Sequence, residues 1–416
     1  MEFKKSTVEE LIEQDVIEKP MDGNHGSIHP KTKDFTDVGI PFITAADIHS
    51  DKVDIEKANK LSEKDAQKLK KGFAKKRDVL LTHKASVGRT AVVNNMEYDY
   101  IILSPQVTYY RIKDTTTLLP EYLYLYFKSN YFNQIINQWA GGSTRKYIGI
   151  TAQKKLPILY PSIKNQKKIV DFIMTFEYKV QVNKKIIANL EELSQTLFKR
   201  WFVDFEFPDE NGNPYKSSGG EMVDSELGEI PRSWKVDELG NYIKIKSGKR
   251  PKNKVDKKDI ENVVPIIGAS KIMGYTNDYL YNEKIIIIGR VGTHGVIQRF
   301  STRTWPSDNT FVITSDFESI IYQVLKSIDY ISLNRGSTQP LLSQKDIKNT
   351  KVVMPTNATL LSKYQKENNH ILKMMDQKNI ENQKLAQLRD TLLPKLMSGE
   401  IEIPDDIEVM EDELSI

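Results

Sequence analysis

The tripeptide Gly-Ser-Thr sits in "GGSTRKYI" at Gly141–Ile148 and returns 194 residues later in "RGSTQPLL" at Arg335–Leu342. One shared tripeptide means little, but its neighbours return in the same order, and shared order is what duplication leaves. "VEEL" at Val8–Leu11 is matched by "VDEL" at Val236–Leu239, and the apolar segment behind Pro41 by the one behind Pro265. "DVLLTHKASVGRTAVV" at Asp78–Val93 is matched by "EKIIIIGRVGTHGVI" at Glu283–Ile297, each an apolar run entering Val-Gly. After Gly-Ser-Thr both copies reach a proline, Pro161 and Pro355, then close on "LEELSQTLFK" from Leu190 and "LAQLRDTLLP" from Leu385. The offsets fall from 228 through 224 and 204 to 194, then settle at 195. Insertions therefore fall in the first part of each unit, and any fold for this chain must be two copies of one unit.

The first part of each copy mixes β-branched and aromatic runs with Gly, Asn and Asp. "YDYIILSPQVTYYRI" at Tyr98–Ile112 and "NTFVIT" at Asn309–Thr314 read as strands. "PEYLYLYFKSNYFNQIINQW" at Pro120–Trp139 reads as one amphipathic helix with proline in its first turn. The second part of each copy carries an apolar stripe in steps of three and four. In the first copy the stripe runs Ile169, Phe172, Phe176, Val180, Ile187, Leu190, Leu193 and Leu197; in the second, Ile371, Met375, Leu385, Leu388, Leu392 and Leu396. The expected fold class is α+β: two tandem mixed α/β modules separated by two long helices that form an antiparallel coiled coil, as a pseudo-twofold repeat. The expected segments are a first module over 1–160, a helix over 161–205 and an acidic linker over 206–232. A second module over 233–356, a second helix over 357–400 and an acidic tail over 401–416 follow.

Composition narrows the setting. There is no cysteine, so disulfides and thiolate metal sites are excluded and a reducing cytoplasm is expected. No apolar run approaches the roughly 20 residues needed to span a bilayer, so no membrane role is expected. The net charge of +4 is unevenly spread: residues 204–229 carry a net −7 and residues 400–416 a net −8, which leaves +19 on the two repeated bodies. Such an excess on two copies of one module favours a polyanionic partner, with nucleic acid foremost.

Motifs for catalysis do not turn up. No Gly-x-Gly-x-x-Gly follows a strand, and no Gly-Lys-Ser/Thr phosphate loop occurs. Of the six histidines only His25 and His29 stand four apart, in a loop broken by Gly26 and Pro30 and not on a helix, so no metal site is expected. "NPY" at Asn213–Tyr215 has one proline too few for an adenine-methyltransferase signature and lies in the linker. The chain reads as a binder that does not catalyse.

Several stretches carry a family likeness. "LEELSQTLFKRWFVDFEFP" leading to "SELGEIPRSWKV" resembles the central conserved region of the specificity subunit of type I restriction–modification systems, and "LLPKLMSGEI" at Leu392–Ile401 resembles its C-terminal ending. "DGNHGSIHP" at Asp22–Pro30, "GIPFITAADI" and "DVLLTHKASVGR" resemble one subclass of target-recognition domain. The second module opens instead with Trp234 and a "KSGKRP" loop, which points to a different subclass. The resemblance implies a DNA-binding scaffold in which each recognition domain reads one half of a split, asymmetric site in double-stranded DNA. The helices would dock two methyltransferase subunits and, where present, two restriction subunits. Cofactors are expected in those partners alone: S-adenosylmethionine for adenine methylation, ATP and Mg2+ for restriction.

Candidate DNA contacts come from loops that carry cations or amides. In the first module these are Asn24, His25, Lys84, Arg89, Arg145 and Lys146; in the second, Lys249, Arg250, Arg290, His294, Arg335 and Gln339. Arginine pairs well with guanine and asparagine with adenine, while His25 reads more readily as a loop-stabilising hydrogen bonder. The Gly-Ser-Thr loop is open to two readings, a DNA-facing loop and a structural turn. The rival to DNA recognition is a two-module protein-interaction scaffold whose basic faces only aid solubility.

Overall fold

A computed structural model describes residues 2–49, 52–94, 96–141, 146–290, 295–333 and 342–404. It divides into two compact units, residues 1–181 with 382–416, and residues 182–381. Each long helix is cut by that division, so each unit contains one module and half of both helices.

The two modules share one topology. In the first, a four-stranded antiparallel sheet runs Thr90–Val92, Val79–Thr82, Val107–Tyr110, Met21–Asp22. In the second, the order is Ile297–Phe300, Ile285–Gly289, Thr310–Thr314, Lys244–Ser247. Each module also has a second sheet with one parallel pair, Ile40–Ile43 with Ile101–Leu103 and Val264–Ile267 with Trp305–Pro306. Each is closed by an antiparallel pair of its outermost strands, Lys4–Thr7 with Pro157–Tyr160 and Trp234–Glu238 with Lys351–Pro355. The central strands are apolar at consecutive residues because both their faces are covered: Val79, Leu80, Leu81 and Ile285 to Ile288 are all buried.

The registers correct the alignment read from sequence. Thr7 lies opposite Pro157 and Glu238 opposite Lys351, so the true offset at the start is 231, and the likeness of "VEEL" to "VDEL" is fortuitous. The first tetrapeptide opens the helix Val8–Glu13, capped by Thr7, whereas Val236–Glu238 is strand. The expected single helix over Pro120–Trp139 is two helices, Pro120–Lys128 and Asn130–Trp139. Ser129 sits between them in an extended conformation, and its hydroxyl accepts the Phe132 N–H, capping the second helix and stopping the first. The acidic stretch read as a linker is folded. A π-helical turn at Lys199–Val203 leads into Phe205 and Phe207, which bury with Trp201, Phe202 and Trp234, and a hairpin pairs Met222–Ser225 with Gly228–Pro231.

The long helices span Ile163–Phe198 and Ala358–Ser398. In the first unit Ile169, Val170 and Ile173 share a core with Leu393, Leu396 and Met397, and Phe176 and Leu392 pack on it. Glu177 pairs with Arg389 and with Lys128 at the end of a module helix. In the second unit Met375, Leu372 and Tyr364 are buried, with Ile187, Leu190, Leu197 and Ile371 packed on the same core. There the Ser194 hydroxyl lies 2.7 Å from Asn368 Oδ1. In both units an early stretch of one helix meets a late stretch of the other, or the reverse, so the helices pack antiparallel. Val180 and Leu385 are half-buried outside these cores, and Leu388 is 48% exposed, on the face turned away from the packing. Among the described residues no helix is long and apolar enough to cross a membrane.

One buried charge network ties the second module to its helix. Arg299, 7% exposed, holds the Asp376 carboxylate through two bonds of 2.7 and 2.8 Å and also pairs with Glu318. Burial alone would lower the Arg299 pKa, but Glu318 and Asp376 raise it above the ordinary value. Arg299→Met would leave both carboxylates without their cation, and should destabilise this unit by about 3–5 kcal/mol. Lys113→Met, which breaks an exposed pair with Asp15, should cost under about 1 kcal/mol. Thermal and urea unfolding of the two variants checks the contrast.

Candidate nucleic-acid interface

In each module the end strand of the four-stranded sheet runs into a glycine that meets another chain segment at close range. A Cβ on Gly23 would lie 1.8 Å from the Leu103 carbonyl oxygen, and one on Gly248 would lie 2.1 Å from that of Ser307. Only glycine fits either position. The strand registers make these glycines equivalent at an offset of 225, so Asn24 and His25 correspond to Lys249 and Arg250. The two loops that look unlike in sequence thus occupy one place in the fold.

In the first module that loop is anchored from beneath. Asn24 is buried and both ends of its amide are used: Nδ2 donates to the Lys71 carbonyl at 2.6 Å, and Oδ1 accepts the Lys70 N–H at 3.0 Å. Asp22 is also buried, accepting from Lys71 and, at 2.6 Å, from His25 Nε2. Burial pushes the Asp22 carboxyl up, yet the Lys71 and His25 hydrogen bonds outweigh it and hold the group below the ordinary aspartate value. His83 lies fully buried with Nε2 4.0 Å from Asp22, and Nδ1 donates to the Ile148 carbonyl at 3.0 Å. Burial lowers the His83 pKa despite that hydrogen bond.

Above this anchor is an open cleft of about 650 Å³, lined by His25, His29, Lys31, Asn59, Lys84 and Gln106 over Phe35 and Phe42. His25 is half exposed and Lys84 exposed. Arg89 instead gives its guanidinium to the carbonyls of Ala45 and Ile48. Lys146 pairs with Asn137 at 2.8 Å. In the second module Lys249 and Arg250 are exposed, while the Lys249 backbone is tied to Pro306 and to the Trp305 indole. They lie within a basic run, Lys244 to Lys258, in which the one acid is Asp256. The Arg290 guanidinium lies 5.7 Å from the centre of the Phe311 ring. Arg145, His294, Arg335 and Gln339, and both Gly-Ser-Thr motifs, lie outside the described residues.

Matching backbone bonds single out residues that sequence reading passed over. The His83 N–H donates to the Gln106 carbonyl at 2.9 Å and the Arg290 N–H to the Asn309 carbonyl at 3.0 Å. The carbonyls of His83 and Arg290 accept from Ile148 and Leu342, both at 3.0 Å. His83 and Arg290 are therefore equivalent, and so are Gln106 and Asn309. The available signal was a serine two residues before an amide at the mouth of a strand, "SPQV" and "SDNT". The Val-Gly match at an offset of 204 obscured it, since the true offset at His83 and Arg290 is 207. Among the described residues no cluster of His, Asp and Glu could hold a metal ion.

Comparison with known proteins agrees with two copies of one domain. The family model described as type I restriction modification DNA specificity domain matches residues 9–192 and again 231–390. The type I restriction enzyme MjaIX specificity subunit of Methanocaldococcus jannaschii is 26% identical, over 97% of each chain. The HindI specificity subunit of Haemophilus influenzae is 24% identical, over 81% of this chain and 89% of its own. The crystal structure of a type I restriction–modification S subunit from M. genitalium shares the fold with a TM-score of 0.56 at 18% identity, covering 98% of this chain and 97% of its own.

Asn24→Ala should leave the Lys70 N–H and Lys71 carbonyl without their partner, at a cost of about 1–3 kcal/mol. Amide exchange at Lys70 should rise while exchange in the second module stays unchanged, as read by hydrogen–deuterium exchange.

Proposed function

This chain belongs to the type I restriction modification DNA specificity family, and from that membership we propose that each module reads one half of a split, asymmetric site in double-stranded DNA. The observation that carries the reading is the equivalence of the two glycine-ended strands. Each leads into a loop that presents polar or cationic side chains, His25 in one module, Lys249 and Arg250 in the other, while the buried Asn24 anchors the first loop from beneath. Equal scaffolds with different side chains suit two readers of two different sequences, because phosphate contacts position a protein on DNA while base-edge contacts set its specificity. The chain itself performs no chemistry and acts in the cytoplasm. Methylation belongs to partner subunits that bind S-adenosylmethionine, and cleavage to restriction subunits that use ATP and Mg2+.

The helices supply docking places for two methyltransferase subunits. Leu193 and Leu388 are 52% and 48% exposed and lie 195 residues apart, the offset of the helical repeat. Each unit therefore presents the same apolar side chain once, and exposed apolar side chains at matching places suit two copies of one partner. Leu193 and Leu388, both on the apolar stripes expected to pair the helices, take this outward role instead.

Two experiments test the reading. Exchanging residues 233–356 for the matching module of another family member should alter one half of the methylated motif and leave the other intact, as mapped by methylation sequencing. If both halves change together, the modular reading fails. Leu193→Glu or Leu388→Glu alone should reduce co-purified methyltransferase from two copies to one, and the double variant should retain none, as measured by mass of the purified complex.

A further inference from the structure

We propose that Gln106 and Asn309 are the paired base-reading side chains of the two modules, each presenting its carboxamide to an adenine in the major groove. The inference rests on the reading of the chain as a two-module DNA reader and names the groups that do the reading.

Both residues sit third in a tight turn between the two sheets of their module. Ser104 and Ser307 begin the turns, are buried, and donate their N–H to Ile43 and Ile267 at 2.8 and 2.9 Å. The turns close through Val107 N–H to Ser104 at 3.2 Å and Thr310 N–H to Ser307 at 3.0 Å. The carbonyls of Gln106 and Asn309 are taken by the His83 and Arg290 N–H groups, so each turn is held by three backbone hydrogen bonds while the side chains are left to the surface. Gln106 is half-buried in the wall of the first cleft, and Asn309 is exposed.

Chemistry at the two positions matches where sequence around them does not. One module has Ser-Pro-Gln-Val and the other Ser-Asp-Asn-Thr, yet both carry a carboxamide at the third residue. A carboxamide accepts from adenine N6 and donates to N7 at once, a pairing that no other base offers in the major groove. The surroundings also suit a DNA edge. His25 and Lys84 line the cleft with Gln106. Asp22 accepts the hydrogen bond of His25 Nε2 at 2.6 Å, which fixes the imidazole in the cleft that Gln106 also lines. His25 is thus a second contact, and Asp22 is the residue that positions it.

The test uses the full chain co-expressed with its methyltransferase and a plasmid library randomised over the two half-sites, read by methylation sequencing. Gln106→Ala should relax one position of one half-site by about tenfold or more and leave the other half unchanged. Asn309→Ala should do the converse. Gln106→Glu, an acceptor alone, should move the preferred base at that position from adenine towards cytosine. Asp22→Asn should relax a position beside it without lowering methylation set by the second half. Because each variant leaves one half-site as an internal control, a folding defect is seen as loss of both halves. In that event Gln106→Glu, which exchanges a single side-chain group, decides by the same readout. Unchanged base preference, or a uniform loss across all sequences with a shallower salt dependence, would mean a phosphate contact or none and overturns the inference alone. A wild-type complex that methylates no split site overturns the functional reading and the inference with it.

Discussion

Apolar side chains far apart in the chain close each unit. Ile169 and Ile173 bury with Leu393, Leu396 and Met397 in the first, while Phe198, Trp201 and Phe202 bury with Leu361, Tyr364 and Leu372 in the second. Neither module completes its core without helical residues contributed from beyond its own stretch of chain. Burying side chains of this size contributes about 1.5–3 kcal/mol each, which is large against the net stability of a domain. Recognition and helix packing are thus joined thermodynamically: a module cannot be well folded while its helix pair is open.

Polar groups within these cores choose the pairing. Ser194 lies against Asn368 and Gln323, and Gln166 holds the backbone at Thr117, Leu119 and Pro161. Buried polar groups are costly when unpaired, so a helix shifted by one turn would strand them. The networks of Arg299 and Glu177 act alike at the seams between module and helix, each joining side chains from elements distant in sequence. The result is a fixed frame whose loops after Gly23 and Gly248 differ in side-chain chemistry, while its turns present a carboxamide in both modules, at Gln106 and Asn309.

Much of this was legible in the chain. Duplication showed through the order of its pieces, and the stripes of Ile169, Ile187, Leu190 and Leu197 marked long helices because their three-and-four spacing has one geometric meaning. The same spacing misplaced Leu388, since a stripe wider than the packed seam includes positions that face outward. Identity of letters misled at "VEEL" and "VDEL", where a helix start and a strand share a tetrapeptide. The linker composition between Asp204 and Trp234 concealed Phe205, Phe207 and Ile230, which bury with Trp234 beyond the π-helical turn.

The amino-acid sequence by itself determined that the protein is two copies of one unit, that long helices follow each copy, and that the bodies are cationic. Those properties are local or additive: periodicity, order and charge survive without knowledge of contacts. Only the tertiary structure decided which residues are equivalent. His83 corresponds to Arg290, Gln106 to Asn309 and Gly23 to Gly248 because each makes the same backbone hydrogen bonds or close approaches within its own module, and these depend on strand register. Insertions shift the offset from 231 at the first strand to 194 at the last, and register alone records where each shift occurs.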